Sequence, residues 1–123
     1  MANFTEVVPV LNGVTATTTS QATNIESAKK VVLVCKRADH SSGSSAFTAQ
    51  VSADGTNYID YKKWISNAAN TNTQDLIRVQ TLTLSADGVD FMTMSPEDGF
   101  LDIKVTATET TDGTHSAWLI IEH

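Results

Sequence analysis

The chain has one cysteine, two prolines and six glycines in 123 residues, and only 18% of it is charged. One cysteine excludes an internal disulfide framework. The glycines never form Gly-x-Gly, which excludes a glycine-rich phosphate loop. The longest apolar runs, Val31 to Cys35 and Ala117 to Ile121, are five residues each, far short of the ~20 a membrane-spanning helix needs. The start, Met-Ala-Asn-Phe-Thr-Glu, has neither the basic nor the apolar region of a signal peptide, so a soluble protein made in a cytoplasm is expected. Basic residues are few, 8 against 14 acidic, for a net charge of −6. That balance argues against a nucleic-acid partner, whose phosphates need a basic face.

Catalytic and metal constellations are also missing. No Gly-x-Ser-x-Gly elbow occurs, and Asp39-His40-Ser41 are mere sequence neighbours, which is not how triads assemble. His40, His115 and His123 read as surface histidines. One cysteine and three scattered histidines do not suit zinc. Asp54 with Asn57, and Asp87 with Asp90, read as ordinary turns, since calcium wants six to eight oxygens. The expectation is a non-enzyme without metal or cofactor, folded as one domain over 1–123. Cys35, inside an apolar run, reads as an inert buried thiol.

What is present is hydroxyl and alternation. Eighteen threonines and eleven serines make nearly a quarter of the chain. Phe47, Ala49 and Val51 alternate with Thr48, Gln50 and Ser52, and Leu101, Ile103, Val105 and Ala107 alternate with Asp102, Lys104, Thr106 and Thr108. A period of two marks strands with one face inward, and threonine suits the outward face. Three Asp-Gly turns, at 54–55, 87–88 and 112–113, are strong hairpin signals. They pair 46–52 with 57–65, 77–85 with 89–94, and 100–109 with 115–122. With 31–37 and one or two strands within 7–19, about eight strands result. No amphipathic helix is evident; the best candidate is a short turn near Ile65 to Ala69. The fold class is all-β: an antiparallel β-sandwich or jelly-roll with an extended N-terminal segment.

Other features bear on partners. Around Pro9 cluster Phe4, Val7, Val8, Val10 and Leu11. Proline disfavours a central strand, so residues 1–20 form an edge strand or an arm on a neighbouring subunit. Val31-Val32-Leu33-Val34-Cys35 and Trp118-Leu119-Ile120-Ile121 are apolar on both strand faces. An antiparallel strand normally shows water its second face, so here that face needs cover, from the same chain or from a partner. Met92 and Met94, opposite Phe91, pose the same question. The pairs Lys29-Lys30, Lys36-Arg37 and Lys62-Lys63 meet an acidic partner or guard a solvated strand edge. Tyr58 reads as core, and Trp64 as core or interface. Ser52 to Ile59 resembles Ser85 to Met92, 33 residues on, which reads as two uses of one good turn rather than a repeat.

Ala46 to Tyr58, an alternating strand running into Ser-Ala-Asp-Gly-Thr-Asn-Tyr, resembles a phrase of small β-rich virion proteins of tailed bacteriophages. In size, acidity and threonine content the chain resembles phage head decoration (cement) proteins. The resemblance implies a structural protein of the outer capsid surface, made in the host cytoplasm. It would bridge major capsid protein subunits as a trimer or dimer, without nucleic acid or membrane. The contact residues expected are Phe4, Val7, Val8, Val10, Leu11, Val32, Val34, Trp64, Trp118 and Ile120. The alternatives are a phage tail or fibre component, and a carbohydrate-binding module using Tyr61, Trp64 or Trp118.

Overall fold

The computed structural model describes residues 5–65, 76–79, 81–94, 100–109 and 112–123, without the side chains of 62–65, 76–79 and 109. Phe4 and most of the expected turn at Ile65 to Ala69 lie outside the described residues.

The described residues form twelve strands and no helix. They are β1 (Thr5–Val14), β2 (Thr18–Thr19), β3 (Thr23–Asn24), β4 (Lys30–Ala38), β5 (Ser45–Ser52), β6 (Ile59–Asp60), β7 (Lys62–Ile65), β8 (Leu76–Val79), β9 (Thr81–Leu84), β10 (Gly88–Met94), β11 (Asp102–Glu109) and β12 (Thr114–Glu122). One sheet runs β1-β12-β4-β10; the second runs β2-β11-β5-β6, with β3 also on β11 and β9 also on β5. All pairings are antiparallel.

β2 and β3 lie end to end along β11 as one broken strand, and β9 and β6 share the far side of β5. The chain then has eight strand positions, pairing first with last (β1 with β12), second with seventh (β2/β3 with β11), third with sixth (β4 with β10) and fourth with fifth (β5 with β9). This is a long hairpin rolled onto itself, the jelly-roll arrangement of two packed sheets. The small β7-β8 sheet is inserted between the fourth and fifth positions.

The topology corrects two of the three expected hairpins. Ser52 to Thr56 does turn β5 back onto β6, with Gln50 opposite Asp60. But β9 pairs with β5 and β10 with β4, so the Asp87-Gly88 turn crosses between sheets. Likewise β11 pairs with β5 and β12 with β4 and β1, so Asp112-Gly113 is also a crossing. An Asp-Gly turn dictates a reversal, not which sheet receives the next strand.

The core follows from alternation. Val31, Leu33, Cys35, Ala117, Leu119 and Ile121 from one sheet meet Phe47, Ala49, Val51, Ile103, Val105 and Ala107 from the other. Met94 is buried in the same core and Met92 packs against it, which answers the question the methionines posed. Burial, and then the nearby charge of Asp90, push the Cys35 thiol up to about 12, so the thiolate that reacts is absent at neutral pH.

β1 is the edge of its sheet, where Pro9 leaves no ladder bond unmade. Register shifts occur between Pro9 and Leu11 and again before Val14. The first is a bulge that brings Leu11 to the core side, where Val8 and Val10 already point.

Candidate interaction surfaces

The two outward faces differ in chemistry. On the second sheet, Thr19, Thr106, Thr48 and Thr81 stand abreast across four strands. Thr19 and Thr106 share a hydroxyl hydrogen bond of 2.8 Å, and Thr106 donates to Gln50 Oε1 at 2.9 Å. Gln50 in turn donates to Asp60 at 3.3 Å. Thr19 and Thr106 thus belong to one hydrogen-bonded chain that runs through Gln50 to Asp60.

The outer face of the first sheet is apolar. Pro9, Trp118, Val34 and Phe91 form one row across all four strands, and Val7, Ile120, Val32 and Thr93 the next. Val89 extends the patch beside Lys36. At the other end Lys30 stands opposite Glu122. Val32, Val34, Trp118 and Ile120 are half-buried by one another, whereas Val7, Val89 and Phe91 are 59%, 60% and 65% exposed. Strand and residue spacings make the patch roughly 300 Å² in projection, the size that on a monomer is often functional.

Of the expected contact residues, Val7, Val32, Val34, Trp118 and Ile120 come together on this face. Val8, Val10 and Leu11 instead pack on the core: Val8 and Val10 by ordinary alternation, with Val8 opposite the core residue Leu119, and Leu11 because the bulge brings it to the same side. Phe4 and the Trp64 side chain lie outside the described residues. Phe91, Val89 and Pro9 belong to the patch and were missed as contacts; the signal was the register of β10 and β1 on the doubly apolar strands.

The end of the sandwich carrying the crossing turns is organised by a buried cation. Arg37 is fully buried, which corrects its solvated or partner-facing reading, while Lys36 beside it is exposed as expected. Its guanidinium donates to the carbonyls of Gly43 (2.8 Å), Leu84 (3.0 Å), Ser42 (3.0 Å) and Asp112 (2.8 Å). It also lies 3.4 Å from the Asp112 carboxylate. Asp112 accepts bonds from the Ser41 amide and hydroxyl. The Ser41 hydroxyl bond comes first, and the Ser41 amide next, in holding the Asp112 carboxyl below its usual value. Asp87 accepts from the His40 amide at 3.0 Å and pairs with the His40 ring at 2.7 Å. These contacts tie His40 and Ser41 to separate acids, so the three neighbours Asp39-His40-Ser41 do not converge.

Two further readings change. His115 is fully buried within β12, between Ser45 Oγ at 2.6 Å and the Val14 carbonyl at 3.0 Å; it is a core histidine, not a surface one. The core place expected of Tyr58 is taken by Tyr61. Tyr61 is buried, edge-on to Phe100, while Tyr58 lies at the surface under the Lys104 ammonium, 4.2 Å from its ring centre. The reason is that residues 57–58 are not in a strand, so counting by two from Tyr58 fails. Tyr61 is thereby removed as a sugar platform. Asp54 spends its carboxylate on its own turn, accepting from the amides of Asn57 (2.7 Å) and Thr56 (2.8 Å), the Asn57 side chain and Ser52. These bonds, the Asn57 amide foremost, pull its pKa far below the usual carboxylate range.

No family model matches the sequence, and no curated protein is significantly similar to it. Among solved structures, the chain is similar to the SPBc2 prophage-derived protein YomS, with a TM-score of 0.68 at 8% identity, over 100% of this chain and 96% of that one. Weaker overlaps are with a Bacillus endospore appendage protein, of a family of disulfide-linked pili (TM-score 0.48, 13% identity, 99% and 88% covered), and with infectious bursal disease virus, Gx strain (TM-score 0.44, 10% identity, 98% and 32% covered). What the chain shares with YomS is the fold, end to end.

Proposed function

We propose that this chain is a structural protein of a bacteriophage virion that binds the outer capsid surface and stabilises the shell by bridging major capsid protein subunits. The carrying observation is the apolar outer face of the β1-β12-β4-β10 sheet, beside an opposite face lined with threonine. One face is fit to be covered and the other to meet water. The end-to-end likeness to a prophage-derived protein and the resemblance of the Ala46 to Tyr58 phrase support the phage setting.

The mechanism is passive. Phe91, Val89 and Val7 lose exposed apolar area on docking, at about 25 cal/mol per Å². One such contact is weak after the cost of association. Repetition over a lattice, with each copy touching two subunits, raises the effective affinity without new chemistry. The test is sedimentation of purified protein with expanded, undecorated capsids of the cognate phage. Saturable, stoichiometric binding at micromolar concentration is expected. Binding to isolated tails and not to capsids would replace the reading with a tail role; binding to neither would end it.

A further inference from the structure

The four edges of the two large sheets are unequally protected. β1 carries Pro9 and two register shifts. The second sheet ends in the two-residue pieces β2, β3 and β6 and the four-residue β9. Such short, kinked or proline-bearing edges resist pairing with foreign strands. β10 has none of these devices. It is seven residues of Gly-Val-Asp-Phe-Met-Thr-Met, matched to β4 without a break, and its outward Val89 and Phe91 are the most exposed large apolar side chains among the described residues.

Among the described residues no strand lies beyond β10, and one bond shows which of its groups point that way. The Phe91 amide donates to the Asp90 carboxylate at 2.8 Å, so it is not spent on β4. By antiparallel alternation the amides and carbonyls of Val89 and Thr93 also point to the open side. The Asp90 oxygen occupies the place of a neighbouring strand's carbonyl.

We propose that β10 pairs with β10 of a second copy of this chain, antiparallel about a two-fold axis at Phe91. The strand is complementary to itself in that register. Phe91 meets Phe91, Val89 meets Thr93, and Asp90 meets Met92. The strand's one charge, Asp90, is therefore placed opposite a methionine rather than its own copy. About six main-chain bonds form. The Asp90 carboxylate is displaced from the Phe91 amide. The apolar row Pro9-Trp118-Val34-Phe91 then continues into its symmetry mate as one eight-stranded face. An edge of this size falls at the low end of specific interfaces, so the dimer is concentration-dependent rather than obligate. The inference does not rest on the capsid reading, since the edge pairs in free solution.

Sedimentation velocity from ~10 µM to ~1 mM, a range that brackets weak dimers, tests it without any capsid. The expected result is a shift from 13.2 kDa toward twice that mass. Thr93→Pro, which removes only an open-side amide, weakens the dimer at least tenfold while the melting curve confirms a folded chain. Asp90→Ala removes the competing carboxylate and strengthens it roughly three- to tenfold. Val7→Lys, on the same face but the opposite edge, leaves it unchanged. A chain that stays monomeric at 1 mM overturns the proposal, as does a dimer broken by Val7→Lys and untouched by Thr93→Pro.

Discussion

Replacing Arg37 with methionine should cost about 4 kcal/mol of stability. The side chain is fully buried and donates to four backbone carbonyls, of Ser42 and Gly43 in one loop, Asp112 in another and Leu84 at the end of β9. A hydrogen bond to a charged group is worth ~1.5–3 kcal/mol. We take ~1 kcal/mol for each carbonyl, because water reaches loop carbonyls once the guanidinium is gone. Methionine refills the stem's volume, so the loss is of bonding rather than packing. Swapping a buried ion pair for apolar residues is sometimes neutral because both partners go. Here the closer partners are four backbone carbonyls, which no substitution removes. With a urea slope of about 1.3 kcal/mol/M for a chain of this size, the midpoint should fall by about 3 M. Lysine should rescue little, since one ammonium carries three donors and no fork. A fall below ~1 kcal/mol, on the scale of a single ordinary hydrogen bond, would refute the idea that Arg37 ties the crossing turns together.

Gly113 adopts φ +104°, and an added Cβ would lie 3.0 Å from the Ala38 carbonyl and 3.2 Å from Arg37 Nε. Gly113→Ala should therefore lower the melting midpoint more than Gly13→Ala, which meets φ +63° but open space and pays only the ~1–2 kcal/mol of a left-handed residue; equal losses would contradict the crowding. Asp54 has its folded pKa depressed by bonds to the Asn57 and Thr56 amides. Its contribution is thus present above the unfolded value near 3.9 and is lost as pH falls through the lower folded value. An NMR titration should find Asp54 still ionised at pH 3, and a midpoint at or above the ordinary value would count against the turn's geometry.

Strand positions were legible where one face is buried, because burial imposes a period of two. The expected 31–37, 46–52, 100–109 and 115–122 correspond to β4, β5, β11 and β12. The doubly apolar runs were legible for the same reason, and their second faces do lie outward together. Pairing was not legible. Asp87-Gly88 and Asp112-Gly113 look like Asp54-Gly55 in sequence, but the partner of each flanking strand is set by long-range burial. Arg37 and His115 were misplaced because a polar residue's burial depends on acceptors brought from distant turns: Gly43, Leu84 and Asp112 for one, Ser45 and Val14 for the other. Tyr61 and not Tyr58 reached the core because residues 57, 58 and 61 lie outside the strands, where counting by two does not hold.

The central claim is that the face bearing Trp118, Val34 and Phe91 is the one that meets the shell. A cryo-electron reconstruction of cognate capsids saturated with this protein tests it most directly. The expected density has the β1-β12-β4-β10 sheet against capsid subunits and the threonine row of Thr19, Thr106, Thr48 and Thr81 toward solvent. Density with the threonine face against the shell and Phe91 in open solvent would contradict it.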